Sequence, residues 1–240
     1  VVAAAEVRGE DIVLEIGAGL GSLTRHLAKA ARSVVAVELD EGLLPPLRQV
    51  LEPFPNVHIV HGDILALDPA KLIPEGAYLV VANIPYYITS VLIRHLLECS
   101  RPPSRLVLTM QKEVAQRVCA APGDLSLLAL SVQVYGQPHI TAFIPAGAFY
   151  PPPKVDSAIL RVDLYPTPRI PTPLLEVFFR LSKAGFSQKR KTLRNALAGG
   201  LGWSTARANE LLQTAQIDPF RRAETLSLDE WLRLSQAYAA

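Results

Sequence analysis

Val13-Leu-Glu-Ile-Gly-Ala-Gly-Leu-Gly21 joins an apolar run to a helical stretch through three glycines in five positions. Residues 12–16 read as a strand and 22–31 as a helix, so the glycines fall at a strand-to-helix turn. Glycine lets the backbone turn tightly and lets a ligand approach with no Cβ in the way. In an open parallel sheet, the crevice at the C-terminal ends of the strands is where ligands bind. A nicotinamide-dinucleotide fingerprint would need a third glycine three residues after the second. That position is Ser22, so Gly17, Gly19 and Gly21 fit the fingerprint poorly. Glu15, in the strand just before the loop, also suits a cationic or hydroxyl-rich ligand better than a pyrophosphate. A glycine loop taken alone is more simply a tight turn, so its neighbours have to decide.

The pattern repeats outward from this turn. Residues 33–37, 57–60, 78–82 and 105–109 read as further strands, with helices following toward Leu51 and over 88–98 and 112–119. Residues 125–135 read more as helix than strand, and 139–144 and 157–164 as closing strands. Such alternation argues for an α/β fold, a mostly parallel sheet covered on both faces. The unbroken apolar run over 78–82 suits a strand buried on both sides. Successive strand ends carry polar groups in order. Glu38 ends the second strand, where a carboxylate can accept hydrogen bonds from both hydroxyls of a ribose; Asp40 fits a helix cap better. Asp63 follows the third, where it can accept from an adenine amine with Ile64 against the ring. Each acid alone is more simply structural; a glycine loop, an acid and an acid at three consecutive strand ends are much harder to ascribe to chance.

Asn83-Ile-Pro-Tyr86 follows the fourth strand and is the most specific signal in the chain. An aromatic amine is a poor nucleophile because its lone pair is delocalised. The Asn83 side-chain carbonyl and the Ile84 main-chain carbonyl can accept its two N–H bonds, localise that lone pair and aim it at an electrophilic methyl. Pro85 fixes the turn that presents both carbonyls, and Tyr86 can stack on a base that has left its helix. With a sulfonium donor no strong general base is required, and positioning and electrostatics do most of the catalysis. An isolated match of this length is more often an ordinary Asn–Pro turn; its place in the fold reverses that reading.

The proline-rich segment 165–173 cannot enter a sheet or helix interior and reads as a linker. Beyond it four helices are expected, over 174–185, 189–198, 204–214 and 228–238. The division expected is therefore a catalytic domain over 1–165 and a small all-helical domain over 166–240. The formal net charge is +2, but residues 1–165 carry 13 Lys and Arg against 16 Asp and Glu, and residues 166–240 carry 11 against 6. A basic helical domain on a mildly acidic body suggests a polyanionic partner. The two cysteines, Cys99 and Cys119, form no metal or redox pair and the five histidines show no ligand spacing, so no metal is expected and reduced thiols in a cytoplasm fit best. Mean hydropathy is +0.23, yet no stretch is long and apolar enough to read as a membrane span.

These motifs resemble those of the KsgA-type ribosomal RNA adenine dimethyltransferases. The resemblance runs through Val13 to Thr24, Asn83-Ile-Pro-Tyr-Tyr-Ile-Thr89, Met110-Gln-Lys-Glu-Val-Ala-Gln-Arg117, Phe149-Tyr-Pro-Pro-Pro-Lys-Val-Asp-Ser157, Phe186-Ser-Gln-Lys-Arg-Lys-Thr-Leu-Arg-Asn-Ala-Leu197 and Arg222-Ala-Glu-Thr-Leu-Ser-Leu228. It implies a Rossmann-like S-adenosylmethionine-dependent methyltransferase sheet. It further implies two methyl transfers to the 6-amino group of each of two adjacent adenosines near the 3′ end of small-subunit rRNA, within an immature ribosomal subunit. A monomer with a role in ribosome assembly is expected. Glu15, Gly17, Gly19, Gly21, Glu38, Leu39, Asp63, Ile64 and Asn83 would then hold the cofactor. Asn83, Pro85 and Tyr86 would hold the target amine and base, Phe149 would stack on the other face of that base, and Lys189, Arg190, Lys191 and Arg194 would face RNA phosphate.

Two departures stand out. Pro122-Gly-Asp-Leu-Ser-Leu-Leu-Ala-Leu130 lacks the lysine, tyrosine and glycine common there in the family, which bears on local RNA contacts. The chain also starts without the segment, bearing a Gln-Asn-Phe-Leu-like motif, that in the family helps close over the cofactor, so a truncated version with an exposed crevice is expected. Three other readings compete: a large-subunit antibiotic-resistance methyltransferase, against which the run 186–197 argues; a non-catalytic RNA-binding assembly factor; and, more distantly, a nicotinamide-dependent oxidoreductase.

Overall fold

The strand Ile12–Ile16 (β1) is buried along its whole length and forms parallel ladders with both its neighbours, Ser33–Glu38 (β2) and Leu79–Asn83 (β4). A central strand with no solvent face has to be apolar throughout, and apart from Glu15 it is. The molecule is described by a computed structural model over residues 1–73, 76–149 and 152–240; the Tyr86 side chain is also outside the description. Val57–His61 (β3), Arg105–Gln111 (β5), Gly136–Ile144 (β6) and Ser157–Leu164 (β7) complete a seven-stranded sheet in the order β3-β2-β1-β4-β5-β7-β6. β3 and β5 extend the parallel set, while β7 runs antiparallel to β5, so the sheet is mixed.

Between the parallel strands run the helices Thr24–Ala30, Leu44–Leu51 and Thr89–Glu98 and the short turn of helix Pro69–Leu72. Leu27 and Ala28 of the first pack on Val13, Val34, Val81, Val107 and Ile159 of the sheet. Leu47 and Leu51 of the second pack with Ala18 and Ala36. In Thr89–Glu98 the buried Leu92, Ile93, Leu96 and Leu97 recur at helical spacing, and Arg94 pairs with Glu98 on its solvent side. The strand order brings the C-terminal ends of β1 to β5 to one edge. Side chains alternate between faces; the pairings Glu15–Val81, Glu15–Ala36 and Asn83–Thr109 therefore put Glu15, Glu38, Asn83 and Thr109 on one face of the sheet.

The chain divides into two units: residues 1–115 with 137–164, and residues 116–136 with 165–240. The single boundary near residue 165 expected from the proline-rich segment marks only the second entry into the helical unit. The first entry carries Leu127–Gln133, whose buried Ala129 and Leu130 join Leu125, Val134, Ile170, Phe178 and Leu181 in one apolar core. An apolar helix of seven residues gives no hint in sequence of which core it will join. The unit also contains Leu175–Phe186, Leu193–Leu201, Thr205–Thr214 and Leu228–Ala239. The last is opened by a capping box, in which Ser227 and Glu230 bond each other's backbone N–H. Close approach explains two glycines here: a Cβ on Gly200 would lie 2.7 Å from Ala184 Cα, and one on Gly185 would lie 2.7 Å from the Trp231 ring. One expected helix moves. Residues 189–192 are a turn and an extended residue, and the helix begins at Leu193, whose N–H donates to the Arg221 carbonyl at 2.6 Å.

Candidate functional site

The loop after β1 spends four of its N–H groups on the protein. Gly17 and Ala18 donate to the Val37 carbonyl at 2.9 and 3.3 Å, Gly19 donates to Glu38 Oε2 at 2.7 Å, and Gly21 donates to the Ala18 carbonyl at 2.9 Å. A dinucleotide-binding turn aims such groups at a pyrophosphate; here they are taken. The glycines remain necessary. Gly17 sits at φ +75°, and Gly21, at φ +81°, could take a Cβ only 3.1 Å from Leu47 Cδ1 and 3.2 Å from Val50 Cγ1.

Glu38 is 7% exposed at the end of β2. Its second oxygen accepts from the Asp40 N–H at 2.9 Å, so two backbone donors hold the carboxylate in one orientation. Each oxygen keeps a further lone pair. Asp40 caps the turn after it by accepting from Gly42 N at 2.8 Å, as its position suggested. Beside Glu38, Gly62 N donates to the Glu38 carbonyl at 3.0 Å and the His61 ring meets the Leu39 carbonyl at 3.2 Å, joining the second and third strand ends. Asp63 is exposed, and its Oδ1 accepts from Leu65 N at 2.9 Å.

These strand ends wall a cleft of about 230 Å³, lined by Ile16, Gly17, Glu38, Leu39, Asp63 and Ile64 together with Pro85, Tyr87 and Ile88. Glu38 and Asp63 supply its carboxylates, Leu39, Ile64 and Ile88 its apolar surface, and Pro85 brings the turn after β4 to it. Asn83 closes β4, paired in register with Thr109 and exposed at the edge. Ile84 is buried and Pro85 holds the turn at φ −58°, ψ 134°, after which Tyr86–Ile88 forms a short 3-10 helix. The stacking role expected of the Tyr86 side chain lies outside the described residues. Phe149, half-buried, follows a 3-10 turn after β6, its N–H donating to Ala146 O at 3.2 Å.

Glu15 stands apart. It is 1% exposed, and neither carboxylate oxygen has a hydrogen-bond partner; Thr24 Oγ1 and Thr109 Oγ1 on the same side of the sheet are likewise buried and unpartnered. Burial pushes the Glu15 carboxyl up to about 7; the nearby Thr24 hydroxyl lowers it and the Glu38 charge raises it. The two threonines and the exposed Tyr87 were not read from the sequence. Tyr87 was legible as the second tyrosine of the turn; the threonines lie in apolar surroundings with nothing in sequence to single them out.

In the helical unit Lys189, Arg190 and Lys191 are exposed on the turn before the helix Leu193–Leu201. Arg194 is different: it is half-buried, its Nε has no partner, and its guanidinium lies 5.3 Å from the centre of the Phe220 ring. Among the described residues no cluster of three His, Cys, Asp or Glu could hold a metal ion, and no helix is long and apolar enough to cross a membrane.

A strand order of 3-2-1-4-5-7-6 defines a methyltransferase-type sheet, here with Glu38 ending β2, Asp63 following β3 and four amides of the glycine loop turned to the protein. The chain belongs to the ribosomal RNA adenine dimethylase family, whose model matches residues 1–240, and is an S-adenosylmethionine-dependent enzyme of that family. It is 47% identical over 241 residues to the ribosomal RNA small subunit methyltransferase A of Dehalococcoides mccartyi (strain CBDB1), covering 100% of this chain and 82% of the relative. Its counterpart in Bacillus pumilus (strain SAFR-032) is 42% identical over 241 residues, covering 96% and 82%. Among solved structures, a dimethyladenosine transferase from Plasmodium falciparum superposes with TM-score 0.83 at 25% identity, covering 97% of this chain and 91% of that one. The 23S rRNA methyltransferase ErmE superposes with TM-score 0.77 at 28% identity, covering 100% and 95%.

Proposed function

We propose that this chain transfers methyl groups from S-adenosylmethionine to the 6-amino groups of two adjacent adenosines near the 3′ end of small-subunit rRNA, in an immature subunit. The observation that carries the reading is the Asn83-Ile-Pro turn at the end of β4, whose Pro85 lines the same cleft as Glu38 and Asp63. Similarity to proteins named small subunit methyltransferase A supports the choice of subunit.

The cleft suits this donor. S-adenosylmethionine carries no phosphate, and the amides of Gly17, Ala18, Gly19 and Gly21 are spent within the protein. Glu38, locked by Gly19 and Asp40, has lone pairs directed outward for the two ribose hydroxyls. Asp63 keeps Oδ2 for the adenine amine, with Ile64 and Leu39 flanking the ring. The orphaned Glu15 carboxylate fits the cationic end of the donor, where a charge partner would offset its burial. Bound there, the donor supplies a methyl group activated by its sulfonium. Asn83 Oδ1 and the Ile84 carbonyl accept the two N–H bonds of the target amine and turn its lone pair toward that methyl. Pro85 keeps the two carbonyls in place, and Phe149 stacks on one face of the base. Lys189, Arg190 and Lys191 meet RNA phosphate.

ErmE supports a second reading, modification of large-subunit rRNA, because it shares the fold over the whole chain. Reverse-transcription mapping on both rRNAs separates the two. The account predicts new stops at two neighbouring adenosines near the small-subunit 3′ end; stops confined to the large subunit contradict it.

A further inference from the structure

We infer that Phe220 is a stacking platform for an unpaired base of the RNA that the helical unit binds, an inference that rests on the RNA-binding role proposed above. Phe220 is 67% exposed on the loop between Thr205–Thr214 and Leu228–Ala239. A ring so exposed does nothing for the core, yet the loop that carries it is fixed. Phe220 N donates to Asp218 Oδ1 at 2.9 Å, Arg194 N donates to the Pro219 carbonyl at 3.3 Å, and Leu193 N donates to the Arg221 carbonyl at 2.6 Å. The last two bonds tie the loop to the start of the helix that follows the exposed cations Lys189, Arg190 and Lys191. The ring is also backed: the Arg194 guanidinium lies 5.3 Å from its centre, with Nε buried and unpartnered.

Charge selects the occupant. The carboxylates of the following segment are occupied, Glu230 by Arg221 and Glu224 by Arg222, and Asp218 Oδ1 is used by the loop itself. What the loop is tied to, two to four residues before Leu193, is the exposed set Lys189, Arg190 and Lys191, none of which has an ion-pair partner among the described residues. A rigid, arginine-backed aromatic next to exposed cations is the combination that binds single-stranded nucleic acid, phosphates on the cations and a base on the ring. An acidic peptide would satisfy the cations but not the flat exposed face.

The two contributions have different salt signatures, since stacking releases no counterions and phosphate contacts do. Binding of a short oligoadenylate, and of an abasic strand of the same length, is measured over a salt series. Phe220→Ala should weaken oligoadenylate binding about tenfold, leave abasic binding unchanged and leave the logarithmic salt slope intact. Phe220→Leu should lose as much, and Phe220→Tyr should retain parent affinity. Equal loss on both strands, full affinity in Phe220→Leu, or no loss in Phe220→Ala overturns the inference. So does a changed oligomeric state with unchanged RNA affinity, which would assign the ring to self-association. Replacing Lys189, Arg190 and Lys191 by Ala distinguishes the levels. If that triple variant binds poorly with a shallower slope while Phe220→Ala is normal, only the stacking inference falls. If neither change matters, the RNA-binding reading falls with it.

Discussion

At the residue scale, the site depends on carboxylates held in contrasting ways. Glu38 is held by one backbone donor on each oxygen and correspondingly well oriented. A carboxamide in its place would turn an NH2 group toward Gly19 N or Asp40 N, and donor affinity should fall by about 1–3 kcal/mol. Calorimetric titration of Glu38→Gln with S-adenosylmethionine measures this, and parent-like affinity would remove Glu38 from the site. Glu15 is buried with no partner, and its folded pKa of about 7 stands above the usual 4.5. A raised carboxyl pKa means that the unfolded chain gives up the proton first. The folded state therefore loses stability as pH climbs from about 4.5 to about 7, by roughly 3 kcal/mol in total, and the loss is flat beyond. Glu15→Gln should abolish that slope in denaturant melts of the free protein. A parent-like slope across the window would assign the pH dependence elsewhere.

At the element scale, the strand-to-helix turns set the site and the helix contacts set the second unit. A Cβ on Gly200 would lie 2.7 Å from Ala184 Cα, 2.8 Å from its Cβ and 3.0 Å from its carbonyl oxygen, none of which can swing aside as a flexible side chain would. Gly200→Ala should destabilise the helical unit by about 1–3 kcal/mol, an overpacking cost, read as a lower urea midpoint with an unchanged slope; an unchanged midpoint would show that the two helices can move apart freely. The same elements show what sequence could and could not tell. Strands β1 to β5 were legible from their apolar runs, and the glycine loop and Asn83 turn from their places at strand ends. The helix Leu127–Gln133 was legible as a helix but not as part of the second core, because that membership depends on contacts with Ile170 and Phe178 far along the chain. The basic run was legible as charge but not as a turn. There the bonds from Leu193 and Arg194 to the 219–221 loop, fixed only in three dimensions, decide where the helix starts. Thr24 and Thr109 were silent because a threonine in a strand or at a helix start is ordinary until its burial is known.

At the scale of the whole molecule, the account is that one sheet edge binds a donor and presents two carbonyls to an amine, while a basic helical unit supplies RNA. Each unit is intelligible alone: the first by its glycine loop and carboxylates, the second by its apolar core and exposed cations. What joins them in function is the target adenosine, and the residue on which its chemistry turns is Asn83. The decisive measurement is transfer of labelled methyl groups from S-adenosylmethionine into immature small ribosomal subunits, comparing the parent with Asn83→Ala and following donor affinity alongside. Asn83 is asked to act on the amine as the bond forms, and not on the donor at rest. The predicted result is methyl incorporation by the parent, none detectable with Asn83→Ala, and nearly unchanged donor affinity. Equal incorporation by the two proteins would contradict the account.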